Sequence, residues 1–206
     1  MKRFLVILFL FSTSSCELPT IIQADKYIEP VPIKVTDAIP LYETVWDRIK
    51  DDVQSEQDKL DEKTLAHINI YLASPDQLNK LLEKGRYFIF FVLEELERYR
   101  LPPELALLPY IESSYDPFSI SSSGAMGIWQ FMPATARIYG LKDNWWYEQR
   151  HDPLVSSRAA VRYLAYLHNR FNEDLTYTLA AYNGGPTLLE KRIKLNRQSG
   201  LSLIHI

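Results

Sequence analysis

Gly124-Ala125-Met126-Gly127-Ile128-Trp129-Gln130-Phe131-Met132-Pro133 is the stretch on which the assignment of this chain turns. Ser121 to Gly127 reads as a loop of small residues, in which glycine lets the backbone come close to a bound molecule. Ile128 to Tyr139 reads as resumed helix. Upstream stands a carboxylate in Ile111-Glu112-Ser113-Ser114, and downstream comes Ala180-Ala181-Tyr182-Asn183-Gly184-Gly185. The segments between these three landmarks carry helical periodicity, and no stretch alternates with period two. The expected class is therefore all-α.

Working outward, Pro102-Pro103 opens a helix with Leu105, Leu108 and Ile111 on its core side, and Pro109 kinks it or ends it early. That leaves Glu112 near a helix end, where a side chain faces a cleft. Asp152-Pro153 supplies an N-cap followed by proline at the first helical position. The helix it starts runs to about Phe171, with Ala160, Leu164, Leu167 and Phe171 inward. Leu175 to Tyr182 is another helix, ended by Gly184-Gly185-Pro186. Before Pro102, Phe88, Val92, Leu96 and Tyr99 share one helical face, with Glu94, Glu95 and Glu97 mostly on another. Leu78, Leu81 and Leu82 mark a shorter helix before it.

The N-terminus reads as an export signal. Lys2-Arg3 is followed by an apolar run from Phe4 to Phe11, too short to span a bilayer. Ser15-Cys16 then resembles the end of a lipoprotein signal, with Thr13 where that pattern prefers leucine. Cys16 is the lipidation candidate, and the alternative is an ordinary signal peptide with an incidental cysteine. Residues 17–42 carry Pro19, Pro30, Pro32 and Pro40 and read as an extended linker. Residues 43–100 are expected to be a helical lead-in, and 101–200 the catalytic domain. Leu201-Ser202-Leu203-Ile204-His205-Ile206 matches the in-frame translation of a common library adapter. It is expected to be foreign to a domain that is truncated at its C-terminus.

Composition narrows the function. The formal net charge is −3 over 206 residues. No basic block follows the first residues, so the electrostatic footprint of a nucleic-acid binder is missing. One cysteine rules out an internal disulfide. His67, His151, His168 and His205 are scattered, with no metal-ligand spacing. No cofactor is expected. The chain has 13 Tyr, 9 Phe and 4 Trp, which suits sugar stacking as well as a core. Trp145-Trp146-Tyr147 is read as packing under the cleft rather than as a sugar platform, and Trp129 as core.

Glycosidases that use water usually need two carboxylates. Beside Glu112 the second candidate is Asp116, but Asp116-Pro117 reads as a turn, and Glu104 and Glu148 have no motif around them. One carboxylate suffices when the nucleophile belongs to the substrate. In peptidoglycan the 6-hydroxyl of N-acetylmuramic acid attacks its own C1, with a large effective molarity. A single Glu first protonates the leaving oxygen and then takes the hydroxyl proton. Tyr110, Ile111, Tyr115, Phe131 and Met132 supply apolar material to desolvate Glu112 and raise its pKa.

Glu112-Ser113, the Gly124 to Pro133 run and Ala181-Tyr182-Asn183 together resemble the three signature segments of the lytic transglycosylases. Those enzymes carry the soluble-lytic-transglycosylase catalytic domain, whose fold is related to goose-type lysozyme. Leu101-Pro102-Pro103-Glu104-Leu105-Ala106-Leu107-Leu108-Pro109 and the Ile128-Trp129-Gln130 variant favour the membrane-bound D branch. The resemblance covers about residues 85 to 200. It implies Glu112 as acid/base and Ser113 as support for the loop. It puts Ser121 near the acetamido or 6-hydroxyl region, with a helix cap as its alternative role. Gln130 and Met132 would line the cleft, although Met132 also suits the core. Tyr182 would orient the carboxyl group, with Asn183 beside it as sugar contact or C-cap. The implied substrate is the peptidoglycan glycan strand, cut to leave 1,6-anhydro ends by a monomer at the periplasmic face of a membrane, as an outer-membrane lipoprotein. A water-using muramidase and a non-catalytic glycan-binding lipoprotein are the alternatives. The family also continues with a further helical segment bearing a tyrosine that closes the cleft.

Overall fold

The computed structural model describes residues 44–52 and 62–199. The export signal, Cys16, the linker to residue 42 and the tail 201–206 lie outside the described residues. Nine α-helices are described: α1 Val45–Asp52, α2 Glu62–Leu72, α3 Pro75–Gly85, α4 Ile89–Arg98, α5 Leu108–Ser113, α6 Pro133–Ile138, α7 Pro153–Arg170, α8 Leu175–Gly184 and α9 Pro186–Ser199. The all-α expectation holds, with one small addition. Strands β1 Asp143–Asn144 and β2 Tyr147–Glu148 form a hairpin in which Asp143 pairs with Glu148 and Asn144 with Tyr147.

The core is built between α4 and α7. Val92, Leu93 and Leu96 of α4 and Ala160, Val161, Leu164 and Leu167 of α7 are all essentially buried. These residues recur at three- and four-residue spacing, so each helix buries one stripe, and each buried aliphatic contributes about 1.5–3 kcal/mol. Phe171 closes the end of α7 as expected. The acidic face of α4 is not wholly solvated. Glu95 is buried at 4% exposure and lies 3.4 Å from Arg98 and 3.5 Å from Arg158 of α7. A carboxylate that close to the core is stable only because two guanidinium groups neutralise it.

Asp152 starts α7 as its sequence indicated: Oδ1 accepts the backbone N–H groups of Leu154 and Val155, each at 3.0 Å. Asp174 does the same for α8 by accepting from Tyr177 N–H at 3.0 Å. Gly185, at φ 86°, then turns the chain so that Pro186 begins α9 against α8.

The segment leading to Glu112 is two short elements. Pro103–Leu107 is a 3-10 turn, and at Leu108 the chain relaxes into α5. Pro109 causes the break, because it lacks the N–H that would continue the ladder from below. The helix ends with Ser114 and Tyr115 both at positive φ, 56° and 58°. Their N–H groups donate to the carbonyls of Tyr110 at 3.1 Å and Pro109 at 3.0 Å. Two tyrosines fix α5 in place: Tyr115 Oη donates to Ala106 O and Tyr110 Oη to Leu82 O, both at 2.6 Å. Tyr110 needs the space over Gly85, where a Cβ would lie 2.3 Å from the phenol oxygen.

The resumed helix from Ile128 is not formed. Only Pro133–Ile138 is helical. Ile128 to Met132 instead folds back on the loop, with Met126 and Phe131 exchanging backbone hydrogen bonds at 3.1 and 3.0 Å. The apolar residues there do face the core, which imitates a helical pattern, but they do so from a tight turn.

Candidate active site

Glu112 sits in the last turn of α5, half-buried, and burial pushes its carboxyl from 4.5 up to about 7. Desolvation disfavours the carboxylate and no cation offsets the shift. The group is therefore poised to hold a proton near neutrality and to give it up, as a single carboxyl that alternates between acid and base must.

The loop Ser119–Phe131 packs against this helix end. Ser113 Oγ donates to Ile128 O at 3.0 Å, with Pro109 O at 3.3 Å as a weaker second acceptor. Its hydroxyl proton is thus spent on joining α5 to the loop. Gln130 holds φ 47°, a left-handed backbone that costs a non-glycine residue about 1–2 kcal/mol. Its side-chain amide nitrogen repays part of this by donating to Gly127 O at 2.9 Å and Ser119 O at 3.3 Å. This strained backbone, held by its own side-chain bonds, lies in the loop that packs beside the perturbed carboxyl. Ser121 Oγ accepts from Ala125 N–H at 2.9 Å and lies 2.9 Å from Ser123 Oγ, so it closes the loop's own turn. Met132 is half-buried and is the N-cap residue of α6.

The third motif arrives on α8. Tyr182 Oη donates to Trp129 O at 2.7 Å, which ties α8 to the loop. Burial, with the negative charge of Glu112 and the neighbouring Tyr163, holds the Tyr182 phenol protonated far above the ordinary tyrosine range. Tyr182 and Glu112 thus face one environment. Asn183, next in sequence, is exposed in the last turn of α8. Trp129 is wholly buried and its indole N–H donates to Ser157 Oγ at 2.8 Å, so it is core, as expected.

Arg150 has the largest role that sequence reasoning missed. It is 5% exposed and uses four of its N–H groups at once. Nε and one Nη2–H fork onto Glu148 at 2.9 and 2.7 Å, and Nη1 donates to Gly124 O at 3.1 Å and Phe131 O at 3.3 Å. One guanidinium therefore holds both ends of the Gly-rich run. Its backbone carbonyl fixes the middle: a Cβ on Gly127, at φ 78°, would fall 1.8 Å from Arg150 O. Nearby, His151 Nδ1–H donates to Pro117 O at 2.7 Å.

Two of the other three carboxylates are committed elsewhere, whereas Glu104 Oε2 is buried without a hydrogen-bond partner. Asp116 Oδ1 accepts from Phe118 N–H at 2.9 Å in a turn, as its sequence suggested, and Glu148 is held by Arg150. Trp145-Trp146-Tyr147 departs from expectation. It does not pack under a cleft: Trp145 and Trp146 are each 88% exposed and Tyr147 46%. They sit on the β1–β2 hairpin, whose turn leaves no neighbouring layer to cover them. Among the described residues, no group of three or more His, Cys, Asp or Glu is placed to hold a metal ion, and no helix is long and apolar enough to cross a membrane.

The profile of the Transglycosylase SLT domain matches residues 91–204. The membrane-bound lytic murein transglycosylase D of Escherichia coli K12 is 36% identical over 132 residues, covering 64% of this chain and 29% of that protein. A protein of Alteromonas sp. strain M-1 named for tributyltin chloride resistance is 39% identical over 98 residues, covering 48% of this chain and 47% of its own length. The membrane-bound lytic murein transglycosylase F of Alcanivorax borkumensis is 38% identical over 103 residues, covering 47% of this chain and 21% of that protein. The chain thus spans less than half the length of each of these relatives. The profile match takes in Glu112, the Arg150-braced loop and Tyr182, and on it the chain belongs to the Transglycosylase SLT domain family.

Proposed function

We propose that this protein is a peptidoglycan lytic transglycosylase. It cleaves the β-1,4 bond between N-acetylmuramic acid and N-acetylglucosamine and leaves a 1,6-anhydro end. The observation that carries the proposal is Glu112: one carboxyl raised to about 7, with Asp116 and Glu148 each engaged in other bonds. A proton on Glu112 goes to the glycosidic oxygen as the C1–O bond breaks. The resulting carboxylate then accepts the proton of the muramic acid 6-hydroxyl as that oxygen bonds to C1. No water enters, and the enzyme returns to its starting protonation state.

The other residues have positioning and contact roles in this reading. Ser113 and Tyr182 set the loop and the carboxyl against each other. Gln130 has spent its amide nitrogen and offers its amide oxygen to an N–H of the sugar. Ser121, Met132 and Asn183 line the strand's path. The chemistry needs no metal or cofactor.

Residues 101–200 are proposed as the catalytic segment, with 43–100 as a helical lead-in packed on it. Residues 1–16 would direct export, with Cys16 lipidated so that the linker to residue 42 holds the domain off the periplasmic face of the outer membrane. The membrane-bound relatives support this placement through their names. A water-using muramidase would need a second acid, and no observation favours one.

Mass spectrometry of muropeptides released from purified sacculi tests the proposal. Products lighter by one water, as 1,6-anhydro ends, are expected. Reducing ends would replace the reading with hydrolysis, and no release from an intact, folded chain would leave a glycan binder.

A further inference from the structure

Among the described residues, the two most exposed large apolar side chains sit side by side on the β1–β2 hairpin. Trp145 and Trp146 form its two-residue turn, each 88% exposed, with ring centroids 6.3 Å apart at 88°. Short hairpin turns favour Asn, Asp and Gly. Two tryptophans here improve neither the turn nor the core, so folding accounts for neither of them.

The tip is nevertheless firmly mounted. Trp146 N–H donates to Asn144 Oδ1 at 2.9 Å, and Lys142 N–H to Gln149 Oε1 at 2.6 Å. Glu148, at the base, takes the Arg150 fork, and the same guanidinium holds Gly124 and Phe131 in the loop beside Glu112. The hairpin therefore keeps a fixed position relative to the cleavage site.

We infer that Trp145 and Trp146 form a stacking platform for a β-1,4-linked amino-sugar strand, a subsite that grips the long substrate away from the bond being cut. The inference rests on the proposed glycan substrate. Pyranose C–H faces pack on indole rings and remove apolar area from water without any charge. The edge-to-face pair presents two surfaces at right angles, which suits successive sugars rotated along a strand. The local charges match a neutral ligand. Asp143 lies 3.7 Å from Arg137 and Glu148 is paired with Arg150, so the hairpin offers Lys142 and no basic cluster. An anionic membrane surface would call for such a cluster. Continuity with the braced loop adds the direction: a strand lying on the tip is carried by the same scaffold that holds the catalytic segment.

The test uses the full chain carrying Glu112→Gln, which binds without cutting, sedimented with purified sacculi. Adding Trp145→Ala and Trp146→Ala is expected to weaken binding about tenfold or more, and Trp145→Phe with Trp146→Phe to restore most of it. In the active protein the alanine pair should raise KM on long strands and leave turnover of a short soluble glycan unchanged. The melting temperature should not move, since neither ring is buried. Unchanged sedimentation of the alanine pair, while the wild-type chain still releases anhydro-muropeptides, would overturn the platform alone. So would a loss confined to vesicles of phosphatidylethanolamine and phosphatidylglycerol. Failure of the Glu112→Gln chain to sediment, with no anhydro products from wild type, would overturn the glycan reading together with the platform.

Discussion

Replacing Glu112 by glutamine should stabilise the protein, and by an amount that depends on pH. In the unfolded chain the carboxyl titrates at its ordinary value of 4.5; in the fold, burial moves it to about 7. The fold thus favours the protonated acid. Below 4.5 both states carry the proton and the wild type loses nothing. As pH rises from 4.5 to about 7 the unfolded state sheds its proton while the native state keeps it, and native stability falls. Above that window the loss levels off. At about 1.4 kcal/mol per pH unit, the ceiling is about 3.5 kcal/mol. Glu112 is only half-buried, so its solvent-facing side reduces this to about 2 kcal/mol. Glutamine is close in shape and never ionises, so it avoids the loss. Thermal melts of wild type and Glu112→Gln from about pH 4 to about pH 9 should diverge through the window and then run parallel. The variant should melt about 4–8 °C higher at the alkaline end. A difference that is flat across the range, or a variant less stable above neutrality, would refute the idea that desolvation governs this carboxyl.

On the proposed mechanism, kcat/KM on sacculi should fall as pH rises through about 7, because the free enzyme must hold the Glu112 proton; a rate independent of pH there would count against it. Gly127→Ala puts a Cβ 1.8 Å from Arg150 O on a backbone at φ 78°, so a loss of at least about 2–4 kcal/mol is expected in urea titration. Arg150→Ala leaves Glu148 and two loop carbonyls unpaired and should cost about 3–5 kcal/mol in the same measurement. Arg150→Lys should recover little, since an ammonium cannot make the fork. Tyr182→Phe removes the donor to Trp129 O, a loss of about 1–3 kcal/mol in the urea midpoint.

The parts of this fold that sequence announces are those set by local rules. Asp152-Pro153 states the start of α7, and the spacing of Ala160, Leu164, Leu167 and Phe171 states its buried face. Asp116 declares a turn because its side chain bonds its own neighbourhood. Glu112 and the Gly-rich run were legible as a chemical pattern, and the raised carboxyl followed from the apolar residues around it. Ile128 to Met132 misled because a turn with its apolar residues inward has the composition of a helix. Only Gln130 at positive φ reveals the difference, and glutamine carries no such signature. The brace from Arg150 to the loop was invisible because its two acceptors there are backbone carbonyls, at Gly124 and Phe131, which every residue possesses. The Trp pair was misplaced on the ordinary expectation that tryptophan seeks cover. A two-residue hairpin denies it that cover, and the pairing of Asn144 with Tyr147 is set by strand geometry rather than composition.

The seat of Tyr110 over Gly85 has a consequence for how such chains diverge. A side chain at 85 would fall on the phenol of Tyr110 and 2.9 Å from the Tyr115 ring, so position 85 does not drift alone: a larger residue there requires a smaller one at 110 and a shift of the ring at 115. The change at 110 removes the hydroxyl that Leu82 O accepts and frees the helix whose far end is Glu112. Lineages that exchange this pair should therefore show compensating changes in α3, in a segment remote in sequence from Glu112.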